Sequence, residues 1–155
     1  MENAGRNVAV EVSSRFKLND TNVVVFCGLG GKGGDGFVAA RHLICLGFKV
    51  DVVLAGMDSQ IVDDEARKNW KALESFGKSV ILHEISDSTL ISEVKAKVLI
   101  DALLGTGTKG KLKPPILQLV EKINALDAFR VAVDVPTGVD SDTGEVLGNA
   151  VKANL

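Results

Sequence analysis

Two aspartates, Asp101 and Asp134, end apolar runs of the sequence and are the leading candidates for chemistry. Each could instead cap the loop that follows it, but that explanation is weaker for two aspartates at matching ends of two strands. Two carboxylates can share a cation, or one can stay ionised while the other acts as a general acid or base. Lys32 and Thr137 follow similar runs and add an ammonium and a hydroxyl group. We therefore expect these polar groups to meet at one site.

Lys32 lies in a glycine-rich segment, residues 27–36, in which six of the ten residues are glycine. The segment follows the apolar run 23–26 and precedes residues 37–46, whose spacing predicts a helix. Glycines let a ligand approach the backbone closely, and a helix N-terminus favours a phosphate or another oxygen-rich ligand. Asp35 could cap this helix or place negative charge at the site, and we favour the cap.

The glycines at 28, 30 and 33 match a dinucleotide-binding motif, which also needs an acidic residue about 20 residues further on. Position 48 is Phe48, and Asp58 lies beyond the predicted second strand. The phosphate-binding loop of nucleoside triphosphatases is excluded, because the lysine is followed by glycine where that motif has serine or threonine. A nicotinamide-dependent dehydrogenase is therefore a less favoured function.

A second glycine-rich segment, residues 105–111, follows Asp101. Its lysines, Lys109 and Lys111, are either solvated, as most lysines are, or in contact with the phosphates of a bound nucleotide. We do not expect a catalytic histidine, because His42 falls on the surface of a predicted helix and His83 at the end of a predicted strand.

Strands and helices alternate along the chain, and this alternation positions the polar groups. It predicts βαβ units and hence an α/β fold with a parallel sheet covered by helices on both faces. Ligands of such sheets bind at the carboxyl ends of the strands. The predicted strands are residues 23–27, 49–55, 79–83, 97–102 and 130–135. The predicted helices are residues 4–16, 37–46, about 61–76, about 88–95 and a helix opened by Pro114 and Pro115.

Length and composition limit the classes of protein. A chain of 155 residues suits one domain, and a net charge of −2 argues against nucleic acid as a partner. The apolar runs are too short to span a membrane, and the first residues do not open a signal peptide. We interpret Cys27 and Cys45 as buried free thiols, so we expect a cytoplasmic protein. An uncovered edge strand would make a homodimer reasonable.

Three motifs stand in order along the chain: residues 30–43 (GGKGGDGFVAARHL), residues 101–107 (DALLGTG) and residues 133–144 (VDVPTGVDSDTG). They resemble the motifs of the NAD(P)H-hydrate epimerases, the YjeF N-terminal domain family. The resemblance covers nearly the whole chain. Because family members have further strands after the third motif, it implies that residues 1–155 are a single domain truncated at its C-terminal end.

The resemblance implies a three-layer Rossmann-like fold and an isomerase that epimerises the C6 hydroxyl of hydrated NADH or NADPH, a repair reaction. It implies proton transfer by Asp134 as the catalytic residue, and a potassium ion held at positions 32, 101 and 137. The implied substrate-binding residues are Gly31, Lys32, Gly33, Gly34, Asp35, Gly105, Thr106, Gly107, Thr108, Lys109, Gly110, Lys111 and Asp134.

The first motif departs from the family's pattern, because Gly31 and Lys32 replace its two asparagines. An ammonium group has donors and no acceptor, so Lys32 cannot ligate potassium. Our hypothesis is that the Lys32 ammonium takes the place of the cation, pairs with Asp101 and bonds the Thr137 hydroxyl, so that no metal is needed. The alternative is that the substitutions abolish catalysis and leave a non-catalytic nucleotide-binding or scaffold domain.

Overall fold

The computed structural model describes residues 1–85 and 95–155. These residues form five strands: β1 (Asn22–Cys27), β2 (Lys49–Ala55), β3 (Val80–Ile85), β4 (Val98–Ala102) and β5 (Phe129–Ala132). They also form four α-helices: α1 (Glu2–Arg15), α2 (Gly31–Cys45), α3 (Asp64–Glu74) and α4 (Ile116–Ala125). The helix predicted at about 88–95 lies almost entirely outside the described residues.

The five strands form one parallel sheet in the order β3-β2-β1-β4-β5. The central strand β1 consists of valine, phenylalanine and cysteine after its first residue, and those residues are all buried. A strand that is apolar on both of its sides suits the middle of a sheet covered on both faces. The chain leaves β1 toward β2 and later returns to the other side of β1, so the strand order reverses between β1 and β4.

Helices cover both faces of the sheet, as the sequence predicts. On one face, Val25 of β1 belongs to the same core as Phe37 of α2 and Trp70 of α3. On the other face, Phe26 packs in a core with Leu119 of α4. Alternate residues of β1 thus point to opposite layers, as the pleat of a strand requires. The α/β fold with three layers and a Rossmann-like parallel sheet is confirmed.

Helix α2 begins at Gly31, six residues earlier than predicted. Its first turns are built from the glycines that the sequence suggested as a loop, and only residues 28–30 connect β1 to the helix. The helix is capped by Gly30, without a side-chain hydrogen bond, and Asp35 lies inside the helix. The interpretation of Asp35 as a cap is therefore wrong. Tight packing of Gly33 against the Gly28 backbone, and of Gly36 against β1 and β4, outweighs the low helix preference of glycine.

Strand β5 ends at Ala132, three residues before its predicted end. The chain bends there, and Asp134 has a φ of 63°. Among the described residues, Asp134 is the one non-glycine residue with a positive φ. Beyond the bend, Leu155 bonds to the edge of β5: its N–H donates to Arg130 and its carbonyl accepts from Ala132. The other edge of the sheet is β3. The homodimer that was expected to cover an edge strand stays a prediction.

Within residues 1–85 and 95–155, no helix is long and apolar enough to cross a membrane.

Candidate active site

A cavity of about 780 Å³ opens at the carboxyl ends of β1 and β4, where the strand order reverses. In open α/β sheets this crevice is the usual ligand-binding position. Its walls are residues 28–32, which follow β1, and residues 103–108, which follow β4. Asp35, Ala55, Asp134 and residues 115–116 at the start of α4 complete the lining. The volume lies within the range of small-molecule sites, about 300–1,000 Å³.

Asp134 is the exposed carboxylate of the cavity that comes from the β5 side. Its left-handed backbone costs free energy for any residue with a side chain, and such residues gather at functional sites. The neighbouring backbone holds it in place. Val133 N–H donates to the Asp101 carbonyl at 2.9 Å, and the Val135 carbonyl accepts from Lys32 Nζ at 2.6 Å.

Lys32 reaches from the first turn of α2 into a cluster of oxygen atoms. Its Nζ donates to the Leu104 carbonyl at 2.9 Å and to the Val135 carbonyl at 2.6 Å. The same atom lies 3.4 Å from Thr137 Oγ1 and 3.6 Å from Asp101 Oδ2. Only 6% of the Lys32 side chain is exposed. Lys32 therefore connects the segments that follow β1, β4 and β5.

Asp101 lies behind Lys32 with its side chain 1% exposed. Its carboxylate accepts the Thr137 hydroxyl at 2.6 Å and two backbone N–H groups, from Thr137 at 2.7 Å and Leu103 at 3.1 Å. Buried charges require this kind of compensation by partners and hydrogen bonds. The Thr137 hydroxyl also accepts from Leu104 N–H at 3.0 Å. The contacts expected between Lys32, Asp101 and Thr137 are all present.

Burial determines the electrostatics of the charged residues at the site. It lowers the pKa of Lys32, and the nearby Asp101 carboxylate opposes this effect. Burial raises the pKa of the half-buried Asp35, the Met1 ammonium 3.6 Å away opposes this rise, and the Asp134 carboxylate adds to it. With Lys32 turned toward Asp101, the carboxylates of Asp35 and Asp134 are the negative groups along the cavity wall.

The structure brings most of the expected substrate-binding residues to the cavity, and five of them lie elsewhere. The residues that line it are Gly31, Lys32, Asp35, Gly105, Thr106, Gly107, Thr108 and Asp134. Gly33 is buried against the Gly28 backbone, and Gly34 against Met1 and Ala66. Lys109 pairs with two aspartates outside the cavity.

Gly110 and Lys111 also lie outside the cavity lining. Gly110 has a φ of 74°, and Gly148 lies against the Lys111 side chain. The two residues belong to the turn that follows the lining segment 105–108.

Sequence reasoning missed the carbonyl groups of Leu104 and Val135, because a backbone acceptor leaves no mark on residue type. It also missed the apolar wall formed by Leu29, Ala55 and Ile116. The position of Ile116 at the start of a helix that opens after β4 is the signal that could have placed it at this edge. Asp58, the late acidic residue of the dinucleotide motif, is exposed and is absent from the cavity lining.

The sequence profile of the family described as YjeF-related protein N-terminus matches residues 1–155. The chain belongs to this family. Among similar proteins, the bifunctional NAD(P)H-hydrate repair enzyme Nnr of Methanothermobacter thermautotrophicus is 45% identical over 160 residues. That match covers 100% of this chain and 30% of the relative. The NAD(P)H-hydrate epimerase of Nitrosopumilus maritimus is 34% identical over 156 residues, covering 100% of this chain and 71% of the relative.

Among solved structures, this YjeF-related domain is similar to the crystal structure of yeast ynu0 (YNL200c), with a TM-score of 0.84 and 27% identity. The match covers 98% of this chain and 66% of the yeast chain. The chain spans about 30% of the length of the bifunctional relatives that it matches.

Proposed function

We propose that this domain epimerises the C6 hydroxyl of hydrated NADH or NADPH, with Asp134 as the group that transfers protons. The names of the relatives support the reaction, since both the Nitrosopumilus maritimus epimerase and the bifunctional relatives are named for NAD(P)H hydrate. The observation that carries the proposal is the position of Asp134: an exposed carboxylate on a strained backbone, lining the cavity at the switch point of the sheet.

In the proposed reaction, the Asp134 carboxyl group donates a proton to the C6 hydroxyl oxygen. The C6–O bond then breaks, water leaves, and the N1 lone pair forms a double bond to C6. Water adds to the opposite face of C6, the electron pair returns to N1, and the released proton passes to solvent, from which the exposed Asp134 carboxylate takes up a proton again. The reaction consumes nothing, because one proton and one water molecule leave and return.

The charges of the cavity suit this path. The ring carries a positive charge once water has left, and carboxylates fixed near a developing cation stabilise it. Asp35 and Asp134 supply such carboxylates, while the ammonium of Lys32 is held by Asp101 and two carbonyls. The first residues of α2, Gly31 and Lys32, line the cavity. Because the first backbone N–H groups of a helix have no partners within the helix, this end of α2 suits the phosphates of a nucleotide.

The experiment starts from one purified epimer of hydrated NADPH and follows the appearance of the other by chromatography, with a protein-free sample for spontaneous exchange. We expect the protein to accelerate exchange, and Asp134→Asn to lower kcat by about 10²–10⁴, the usual share of a general acid or base. Asparagine tolerates a left-handed backbone, so the variant keeps the fold. Asp127→Asn is the matched control, because Asp127 is exposed at the amino end of β5.

Exchange no faster than in the protein-free sample would refute the epimerase and, if the hydrate still binds, would favour the non-catalytic nucleotide-binding domain. An Asp134→Asn variant as active as the control would remove Asp134 from the reaction. Both cysteines are free, but only Cys27 is buried as expected, whereas Cys45 is exposed. Free thiols support a reducing compartment such as the cytoplasm as the place of this repair reaction.

A further inference from the structure

Lys32 ends in a cluster of oxygen atoms that has the chemistry of a site for a monovalent cation. The cluster, which we call the oxygen cage, consists of the carbonyls of Leu104 and Val135, Thr137 Oγ1 and the carboxylate of Asp101. The Thr137 hydroxyl donates its hydrogen bond to the Asp101 carboxylate, so a lone pair of its oxygen is left to point to the centre of the cage. Carbonyl oxygens of this kind replace the hydration shell of potassium in proteins.

A potassium ion does not fit this cage while Lys32 is folded as described. The ammonium nitrogen lies 2.6 Å from one carbonyl and 2.9 Å from the other, which are the distances of strong charge-assisted hydrogen bonds. A second cation on the same oxygens would lie next to the first and repel it strongly in a buried site. The buried carboxylate of Asp101 needs one positive charge, and Lys32 already supplies it.

We propose that the Lys32 side chain is a built-in replacement for an alkali-metal ion, so that this domain folds and works without potassium. The replacement also defines a role for Lys32 as a positioning residue. Its contact with the Val135 carbonyl, together with the bond from Val133 to Asp101, fixes the backbone on both sides of Asp134. The role of Lys32 in positioning Asp134 for catalysis rests on the proposed function. The occupation of the oxygen cage by the Lys32 ammonium does not rest on it.

The test measures thermal unfolding without substrate in potassium chloride, sodium chloride and choline chloride at one ionic strength. We expect the wild-type Tm to be the same in all three salts. Lys32→Asn opens the cage and adds an amide oxygen, so its Tm falls in choline and recovers in potassium. A ligand at 100 times its Kd raises Tm by about 5–10 °C in a domain of this size.

Lys32→Met is the matched control, because its uncharged side chain has a similar length and keeps the centre of the cage filled. We expect its Tm to fall equally in potassium and in choline. If Lys32 had only a structural role, the Tm of both variants would fall by the same amount in every salt. A cation site is identified when potassium, but not choline, restores the Tm of Lys32→Asn and does not restore that of Lys32→Met. Thallium(I) NMR of the same samples gives a direct readout, with a bound signal for Lys32→Asn and none for the wild type.

Three results would each overturn the inference: a wild-type Tm that rises in potassium but not in choline, equal recovery of both variants, or Lys32→Asn that stays unfolded at saturating potassium. None of these readouts involves epimerisation. A protein with no epimerase activity but with the expected salt behaviour would refute the proposed function and leave the cage assignment in place. If the protein is active, wild-type kcat should also be equal in potassium and choline.

Discussion

Replacing Gly33 by alanine should weaken the fold, although alanine is the better helix former. Gly33 lies in the first turn of α2, and a Cβ there would overlap the carbonyl group of Gly28, with its carbon 2.7 Å away and its oxygen closer still. The clash is with backbone and not with a side chain that can rotate. Either the end of β1 or the start of α2 must move, and both line the cavity.

The magnitude follows from two opposing effects. Forcing an extra group into a packed site costs about 1–3 kcal/mol, and we expect the upper end because backbone must shift. The higher helix preference of alanine offsets about 1 kcal/mol of this loss in the free energy of unfolding. The net loss of about 2 kcal/mol in the free energy of unfolding corresponds to a fall in Tm of about 4–8 °C for a domain of this size.

Gly31→Ala is the matched control, because Gly31 lies in the same turn and a Cβ there meets nothing within 4 Å. Its free energy of unfolding should stay within about 1 kcal/mol of wild type, on the stabilising side. Urea denaturation followed by circular dichroism measures both variants. If Gly33→Ala is as stable as Gly31→Ala, the glycine at 33 is not needed for close packing, and the account of why α2 begins at Gly31 fails.

Three further predictions concern residues around the cavity. Lys109 lies outside the cavity but directly follows the lining segment 105–108, and its ion pairs at 3.2 and 2.7 Å tie that segment to Asp140 and Asp142. Lys109→Met removes this tie and should raise KM for the hydrate by up to about fivefold at low salt, less at high salt. Asp140→Asn should reduce the loss of the free energy of unfolding at acid pH, measured by urea denaturation over a range of pH values. Backbone N–H groups of Asp142 and Thr143 hold the pKa of Asp140 below its usual value, so its contribution is present above pH about 4 and lost as pH falls through the lowered pKa. Asp134→Gly should raise the free energy of unfolding in urea by up to about 1 kcal/mol, because glycine accepts a φ of 63° without strain. It should also lower kcat for exchange by about 10²–10⁴, as Asp134→Asn does, because the carboxyl group is lost.

The sheet and the edge at which the site forms could be predicted from the sequence, because the spacing of apolar residues distinguishes strands from helices. Asp101, Asp134 and Thr137 each follow or end an apolar run, and parallel strands bring such positions together. The start of α2 could not be predicted. Glycine has a poor helix preference, and only the close contact between Gly33 and Gly28 shows why a helix begins there.

The end of β5 was missed for a related reason. Val133 and Val135 have strong strand preference, and local preference extends the strand through Asp134. Instead, the chain bends at Asp134, directly after the last ladder bond of the strand pair, from Val133 N–H to the Asp101 carbonyl. The next residue, Val135, has its carbonyl bound to Lys32 of α2 and not to a neighbouring strand. Contacts between residues so far apart in sequence leave no local pattern.

The strain at Asp134 and the charge on Lys32 belong to one arrangement. A left-handed aspartate persists only where its surroundings determine the backbone on both sides, and the oxygen cage does so. If that is correct, opening the cage lets Asp134 relax, so Asp134→Gly should stabilise a Lys32→Asn background less than it stabilises the wild type. A double-mutant cycle measured by urea unfolding in choline chloride should show a coupling of at least about 0.5 kcal/mol. Additive effects would mean that the backbone at Asp134 is held independently of Lys32.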